Sequence, residues 1–174
     1  MSMKKILIIF GIILMIGCDR YNNPFYPKAE VVLSSDLQNI TLSYEIKKEE
    51  EREEITLTYP ILKLFFRERY GGTFAIIDSV RIDYYYPGPP DPERDSIIGS
   101  IPPYTAGFFL YIPPDSMVVT EFNVVTDEVE DIFAPHKGNY PGPLNAKMRF
   151  YGRDGNNYNF ELYLIVTLQR IIPD

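Results

Sequence analysis

Few residues in this chain can do chemistry, and each stands apart from the partners that chemistry needs. The only cysteine is Cys18 and the only histidine is His136. A thiol nucleophile or a Ser-His-Asp relay would have to use one of them. His136 sits beside Lys137 in a proline-rich stretch (APHKGNYPGP), and no Gly-x-Ser-x-Gly elbow supplies a serine nucleophile. It reads as a loop residue. Two carboxylates flanking a cleft could cleave a glycoside. Asp127, Glu128, Glu130 and Asp131 form a contiguous run, which reads as a solvated face. Asp78 interrupts an apolar strand face and reads as an edge or bulge residue. No other acid stands out as buried. Asp154, Asn156 and Asn157 offer the first oxygens of a calcium loop, but the twelfth place holds Ile165 instead of a glutamate. A type I′ turn accounts for the same residues. Zinc sites built from Cys and His clusters are excluded by composition. No catalytic residue, metal or cofactor is expected.

Tyrosine is abundant, with 14 residues, and Tyr84, Tyr85 and Tyr86 abut the run PGPPDPERD. Rings beside prolines could form a platform for a sugar or a peptide, which makes these three the candidate ligand-binding residues. Tyrosine is also a preferred strand residue, so a place in the sheet is the alternative. The formal charge of −7 argues against sequence-independent binding to nucleic acid, which needs concentrated positive charge.

The N-terminus carries an address. Lys4 and Lys5 precede an apolar run from Ile6 to Ile16, followed by Gly17 and Cys18. A basic start, a short apolar core and a small residue before the cut are the parts of a secretory signal. The run is shorter than the roughly 20 residues of a membrane-spanning helix. Leu14-Met15-Ile16-Gly17-Cys18 resembles the lipobox of bacterial lipoproteins. The resemblance implies cleavage before Cys18 and diacylation of its thiol. Removing residues 1–17 takes two lysines and no acid, which moves the charge to −9 and leaves 157 residues. Each buried CH₂ contributes about 0.8 kcal/mol, so two or three acyl chains hold firmly where one would not.

The elements that follow are strands. Residues 19–28 (DRYNNPFYPK) read as a tether. Ile40, Leu42, Tyr44 and Ile46 alternate with polar residues, which predicts a half-buried strand. The charge run 47–54 (KKEEEREE) reads as a solvated hairpin connection. Pro60 falls where the apolar phase shifts from Ile55, Leu57 and Tyr59 to Leu62, Leu64 and Phe66, which suggests a bulge or bend in an edge strand. Gly71-Gly72 predicts a hairpin turn. Phe74, Ile76, Val80, Ile82, Tyr84 and Tyr86 are expected on one face of the next strand. Residues 87–95, with four prolines, read as loop, and 127–133 as one helical turn capped by Thr126. The Asp154-Gly155 turn joins the last two strands, with Phe160, Leu162, Leu164, Val166 and Leu168 on one face.

About seven to nine short strands without a convincing helix indicate an all-β antiparallel sandwich, with a closed barrel as the alternative. The hairpin segments 66–86 and 147–168 resemble those of bacterial immunoglobulin-like or fibronectin-III-like modules, through a Gly-Gly turn and a Gly-x-Asp-Gly turn. That resemblance implies a fold and no active site. The expected organisation is a signal peptide (1–17), a lipidated tether (18–28) and one β-sandwich domain (29–174). The expected role is non-catalytic binding or scaffolding in the bacterial cell envelope. The membrane is reached through lipid on Cys18, other envelope proteins are the expected partners, and no small-molecule ligand is specified. The alternative is a carbohydrate- or peptide-binding module built on the Tyr- and Pro-rich surface around Tyr84, Tyr85 and Tyr86.

Overall fold

The computed structural model describes residues 28–49, 52–69, 72–134, 140 and 142–171. Cys18, the leader, most of the tether and His136 lie outside these residues. Among the described residues, nine strands and two short helices follow one another. They are β1 (Glu30–Ser35), β2 (Asn39–Glu49), β3 (Arg52–Thr58), β4 (Leu62–Arg69) and β5 (Ala75–Tyr85), then α1 (Pro92–Gly99). After these come β6 (Tyr104–Ile112), β7 (Met117–Phe122), α2 (Asp127–Phe133), β8 (Leu144–Asp154) and β9 (Asn159–Ile171). They form a three-stranded sheet, β1-β4-β7, and a six-stranded sheet, β3-β2-β9-β8-β5-β6. Every pairing is antiparallel except β2 with β9, which run parallel from Asn39↔Thr167 to Ser43↔Ile171.

Alternation along the strands builds the core between the two sheets. Leu62, Leu64 and Phe66 of β4 face Ile77, Val80 and Ile82 of β5, Met148 and Phe150 of β8, and Val166 and Leu168 of β9 within one buried cluster. Four rings bridge the sheets at its centre. Phe150 meets Phe66 edge-on at 5.2 Å, Phe108 at 5.3 Å and Phe122 at 6.0 Å between ring centroids. Edge-to-face pairs at such spacings contribute about 0.5–1.5 kcal/mol each beyond the area they bury. The layered sheets answer the choice left open by the sequence in favour of a two-sheet, all-β sandwich.

The described part of the charge run at 47–54 belongs to the β2–β3 ladder. Strand pairing continues through it, with Lys47↔Glu54, Lys48↔Glu53 and Glu49↔Arg52 in register. Pro60 does not bend one strand. β3 ends at Thr58 and β4 begins at Leu62 in the other sheet, so the phase shift marks a crossing between layers. A proline, which cannot donate to a ladder, suits that crossing. β5 carries its bulge at Asp78, where the register slips between Ile77 and Ser79 against both neighbours. The extra residue flips the alternation. Ala75 and Ile77 face inward before it and Val80 and Ile82 after it, so Phe74 and Ile76 do not share the face of Val80.

Two helices replace the expected loop and single turn. α1 begins inside the proline run because Asp91 caps it. The Asp91 carboxylate accepts hydrogen bonds from the Glu93 and Arg94 amides, and Pro92 occupies the first helical position. Proline is tolerated there because that N–H lacks a helical partner anyway. α2 starts after Thr126, whose side chain makes no capping hydrogen bond. It is held instead by Val129 and Phe133, which are fully buried.

The β8–β9 turn also departs from expectation. A type I′ turn needs positive φ at both central residues. Here the Asn157 amide closes on the Asp154 carbonyl at 2.9 Å, and the left-handed residue is Asn157 (φ 63°), after the two central ones. Gly155 is required for a different reason: a Cβ there would run into the Thr73 hydroxyl and the Phe74 ring.

Candidate functional site

The outer face of the six-stranded sheet gathers polar and aromatic side chains that the sequence scatters over 85 positions. β5 contributes Arg81, Asp83 and Tyr85, β8 contributes Lys147, Arg149, Tyr151 and Arg153, and β9 contributes Glu161, Tyr163 and Ile165. Register sets Arg81 beside Arg149 and Arg149 beside Tyr163, with Asp83, Lys147 and Ile165 forming the adjoining row. Asp83 holds the two guanidiniums together. Its Oδ1 accepts a hydrogen bond from Arg81 Nε at 2.9 Å, and its Oδ2 lies 3.2 Å from Arg149 Nη2. A side-chain hydrogen bond with Tyr151, together with the Asp83 carboxylate, pushes the Arg149 pKa up from its already high ordinary value. Its charge is permanent. Lys147 Nζ stands 5.4 Å from the centre of the Tyr163 ring, within cation–π range. Tyr163 is 66% exposed, and Phe109 of β6, on the same face, is 78% exposed.

Strand alternation separates the three consecutive tyrosines. Tyr84 is turned inward and donates to the Val124 carbonyl at 2.7 Å, and burial raises its pKa above the ordinary value. Tyr86 packs under α1, with Arg94 hydrogen-bonded to its hydroxyl and the guanidinium 4.7 Å from the ring centre. Tyr85 alone lies on the outer face, paired in register with Asn145. The three rings do not make one platform, and Tyr85 belongs with the cation–aromatic face.

Two buried carboxylates escaped the sequence reading, against the expectation that no further acid would be buried. Glu68 is 1% exposed and Asp154 is 2% exposed. Glu68 continues the inward phase of Leu62, Leu64 and Phe66, a signal that was legible. Its Oε2 accepts from the Asp115 amide at 2.8 Å, where the chain turns through positive φ (52°) between β6 and β7. Asp154 Oδ1 accepts from the Asn156 and Tyr158 amides at 2.8 and 2.9 Å, and Oδ2 from the Ala29 amide at 3.3 Å. Both Asp154 oxygens, the first of those suggestive of a calcium loop, are thus engaged by backbone N–H groups. Among the described residues, no three His, Cys, Asp or Glu side chains converge on a common point. Asp78 is exposed at its bulge.

The acidic run 127–131 serves α2. The Glu130 carboxylate accepts from the Tyr59 hydroxyl at 2.8 Å, and the Glu130 carbonyl accepts from the Tyr44 hydroxyl at 3.1 Å. Burial, reinforced by the Glu130 charge, pushes the Tyr44 pKa up to about 12 from an ordinary 10.0. A raised pKa means the neutral phenol is the folded form. Its contribution is complete below pH 10 and is lost as pH climbs toward 12. Circular dichroism should show stability falling across that window, with a shallower fall in Tyr44→Phe. Identical alkaline slopes would remove Tyr44 from the account.

The molecule is therefore an all-β sandwich whose most developed surface is a charged and aromatic sheet face. Neither a protein-family model nor a curated protein sequence matches this chain.

Proposed function

We propose that this is a lipid-anchored protein of the bacterial envelope that holds another macromolecule without catalysing a reaction. The observation that carries the binding role is the outer sheet face. Its rings and guanidiniums stand on four adjoining strands of one sheet. Small-molecule sites are concave and mostly apolar, whereas protein-sized partners are met by extended faces rich in Tyr and Arg. The cations Arg81, Lys147, Arg149 and Arg153 outnumber the acids Asp83 and Glu161 there, in a chain whose net charge is −7. That arrangement favours a partner with acidic groups and exposed apolar rims.

The lipid anchor rests on the leader and on Cys18 as the chain's sole cysteine. The immunoglobulin-like reading is supported by strand order. With β1, β4 and β7 in the places of strands A, B and E, and β5, β8 and β9 in those of C, F and G, both sheets follow the order of that fold. β2 and β3 are additions beside β9.

The test is fractionation followed by in-cell cross-linking. Wild type is expected in the membrane fraction and Cys18→Ala in the soluble one. Recovery of wild type in the soluble fraction would remove the anchor. A discrete set of cross-linked envelope proteins is expected, reduced at least several-fold by Arg149→Glu with Tyr163→Ala. An unchanged set would place binding elsewhere, and turnover of an ester or glycoside would end the non-catalytic reading.

A further inference from the structure

The open edge of the six-stranded sheet at β6 is unguarded. Natural edge strands are protected from pairing by charges, prolines or short length. Among the described edges, β1 carries Glu30, β3 carries Arg52, Glu53 and Glu54, and β7 carries Glu121. β6 spans nine residues, YTAGFFLYI, with no charge and no proline. Phe109 and Tyr111 lie exposed on its outer side. The burial alternates strictly from Thr105 to Ile112, although the register against β5 slips at Asp78, which alone opposes Phe108 and Phe109.

Gly107 lies at the middle of the strand, paired with Ser79 just past that slip. A Cβ there would meet nothing within 4 Å, and its φ lies outside the left-handed region. Glycine weakens a strand interior, and where it stays it often marks the close approach of something else.

We propose that two copies of this chain pair through β6, antiparallel, about a two-fold axis at Phe108. The sequence of β6 is self-complementary in size about that residue. Gly107 faces Phe109 of the second copy, Ala106 faces Leu110, and Thr105 faces Tyr111, so in these three pairs a large side chain meets a small one, while Phe108 meets its own copy on the axis and Tyr104 faces Ile112. The exposed Phe109 ring covers the open space over Gly107 of the other copy. An isologous contact of this kind closes after two subunits. It joins the two six-stranded sheets into one continuous sheet and removes the edge. This inference rests on strand geometry and is independent of the anchor and of the proposed partner.

The test uses the full chain. Copies carrying Gly107→Cys are co-expressed with differently tagged copies carrying Phe109→Cys, and oxidation should link the two tags. Thr105→Cys with Phe109→Cys, out of register, should link at background level. Gly107→Cys with wild type controls for Cys18. Sedimentation of the detergent-solubilised wild type should give twice the mass of one chain. Phe109→Glu should give a monomer with unchanged circular dichroism, because that side chain stands in solvent. Gly107→Val, which the isolated chain accommodates, should also lose the dimer. A monomeric wild type, a Phe109→Glu dimer, or equal cross-linking in both registers would overturn the proposal.

Discussion

Phe150→Ala is expected to lower folding stability by about 3–5 kcal/mol, the range for deleting a buried phenylalanine. Domains of this kind hold about 5–15 kcal/mol in all, so the variant should be partly unfolded at physiological temperature. The loss is large because the ring is shared. Phe150 is fully buried and touches Phe66 and Phe122 from the small sheet and Phe108 from its own. Removing it opens a cavity where four rings from both layers interlock. Phe150→Leu keeps most of the volume and should cost under half as much. Urea denaturation compares the two. A loss near 1 kcal/mol for the alanine variant would mean that the sheets are held elsewhere.

Asp154→Ala is expected to cost about 2–4 kcal/mol, since hydrogen bonds to a charged group contribute roughly 1.5–3 kcal/mol each and abandoned donors add a penalty. Three backbone N–H groups lose their acceptor at once: Ala29, Asn156 and Tyr158. Asp154→Asn keeps one oxygen for the turn but presents an amide NH₂ in place of the other. It should therefore be milder and should loosen chiefly the entry of the chain at Ala29. Hydrogen exchange separates these cases. Faster exchange at Ala29 alone is expected for the asparagine variant, and at all three amides for alanine. If exchange at Ala29 is unaffected by either, the link between the first strand and the last turn is not formed in solution. That link has a bearing on the proposed anchor. Lys28, 4.2 Å from the Tyr158 ring centre, and Ala29 fix where a lipidated tether would leave the sandwich.

Much of the fold was legible because period-two alternation is local. β2, β4, β8 and β9 declare themselves through residues two apart, and Asp78 was recognisable as an interruption. What went unread has definite causes. Glu68 lay in phase with three buried residues, but residue type was given more weight than position. Asp91-Pro92-Glu93 is a helix start set among prolines, and prolines on their own read as breakers. The triplet Tyr84-Tyr85-Tyr86 looked like one surface because adjacency in sequence was allowed to stand for adjacency in space. The cluster of Arg81, Asp83, Arg149 and Tyr163 could not have been found without the register, since it joins residues from three strands. The parallel pairing of β2 with β9 is equally non-local: the Gln169 side chain donates to Thr41 Oγ1 at 3.0 Å across 128 residues.

That pairing governs the order in which the molecule can be made. β2 lies between β3 and β9, so the β2–β3 hairpin has no attachment to the larger sheet until the ninth strand arrives. During synthesis or export, the first ladder to emerge must wait for the last. Contacts closing so long a loop form slowly, because the entropy of closure is spent before the pairing repays it. The three-stranded sheet and the β5–β6 ladder can pair beforehand, but the six-stranded sheet is complete only once β9 is in place.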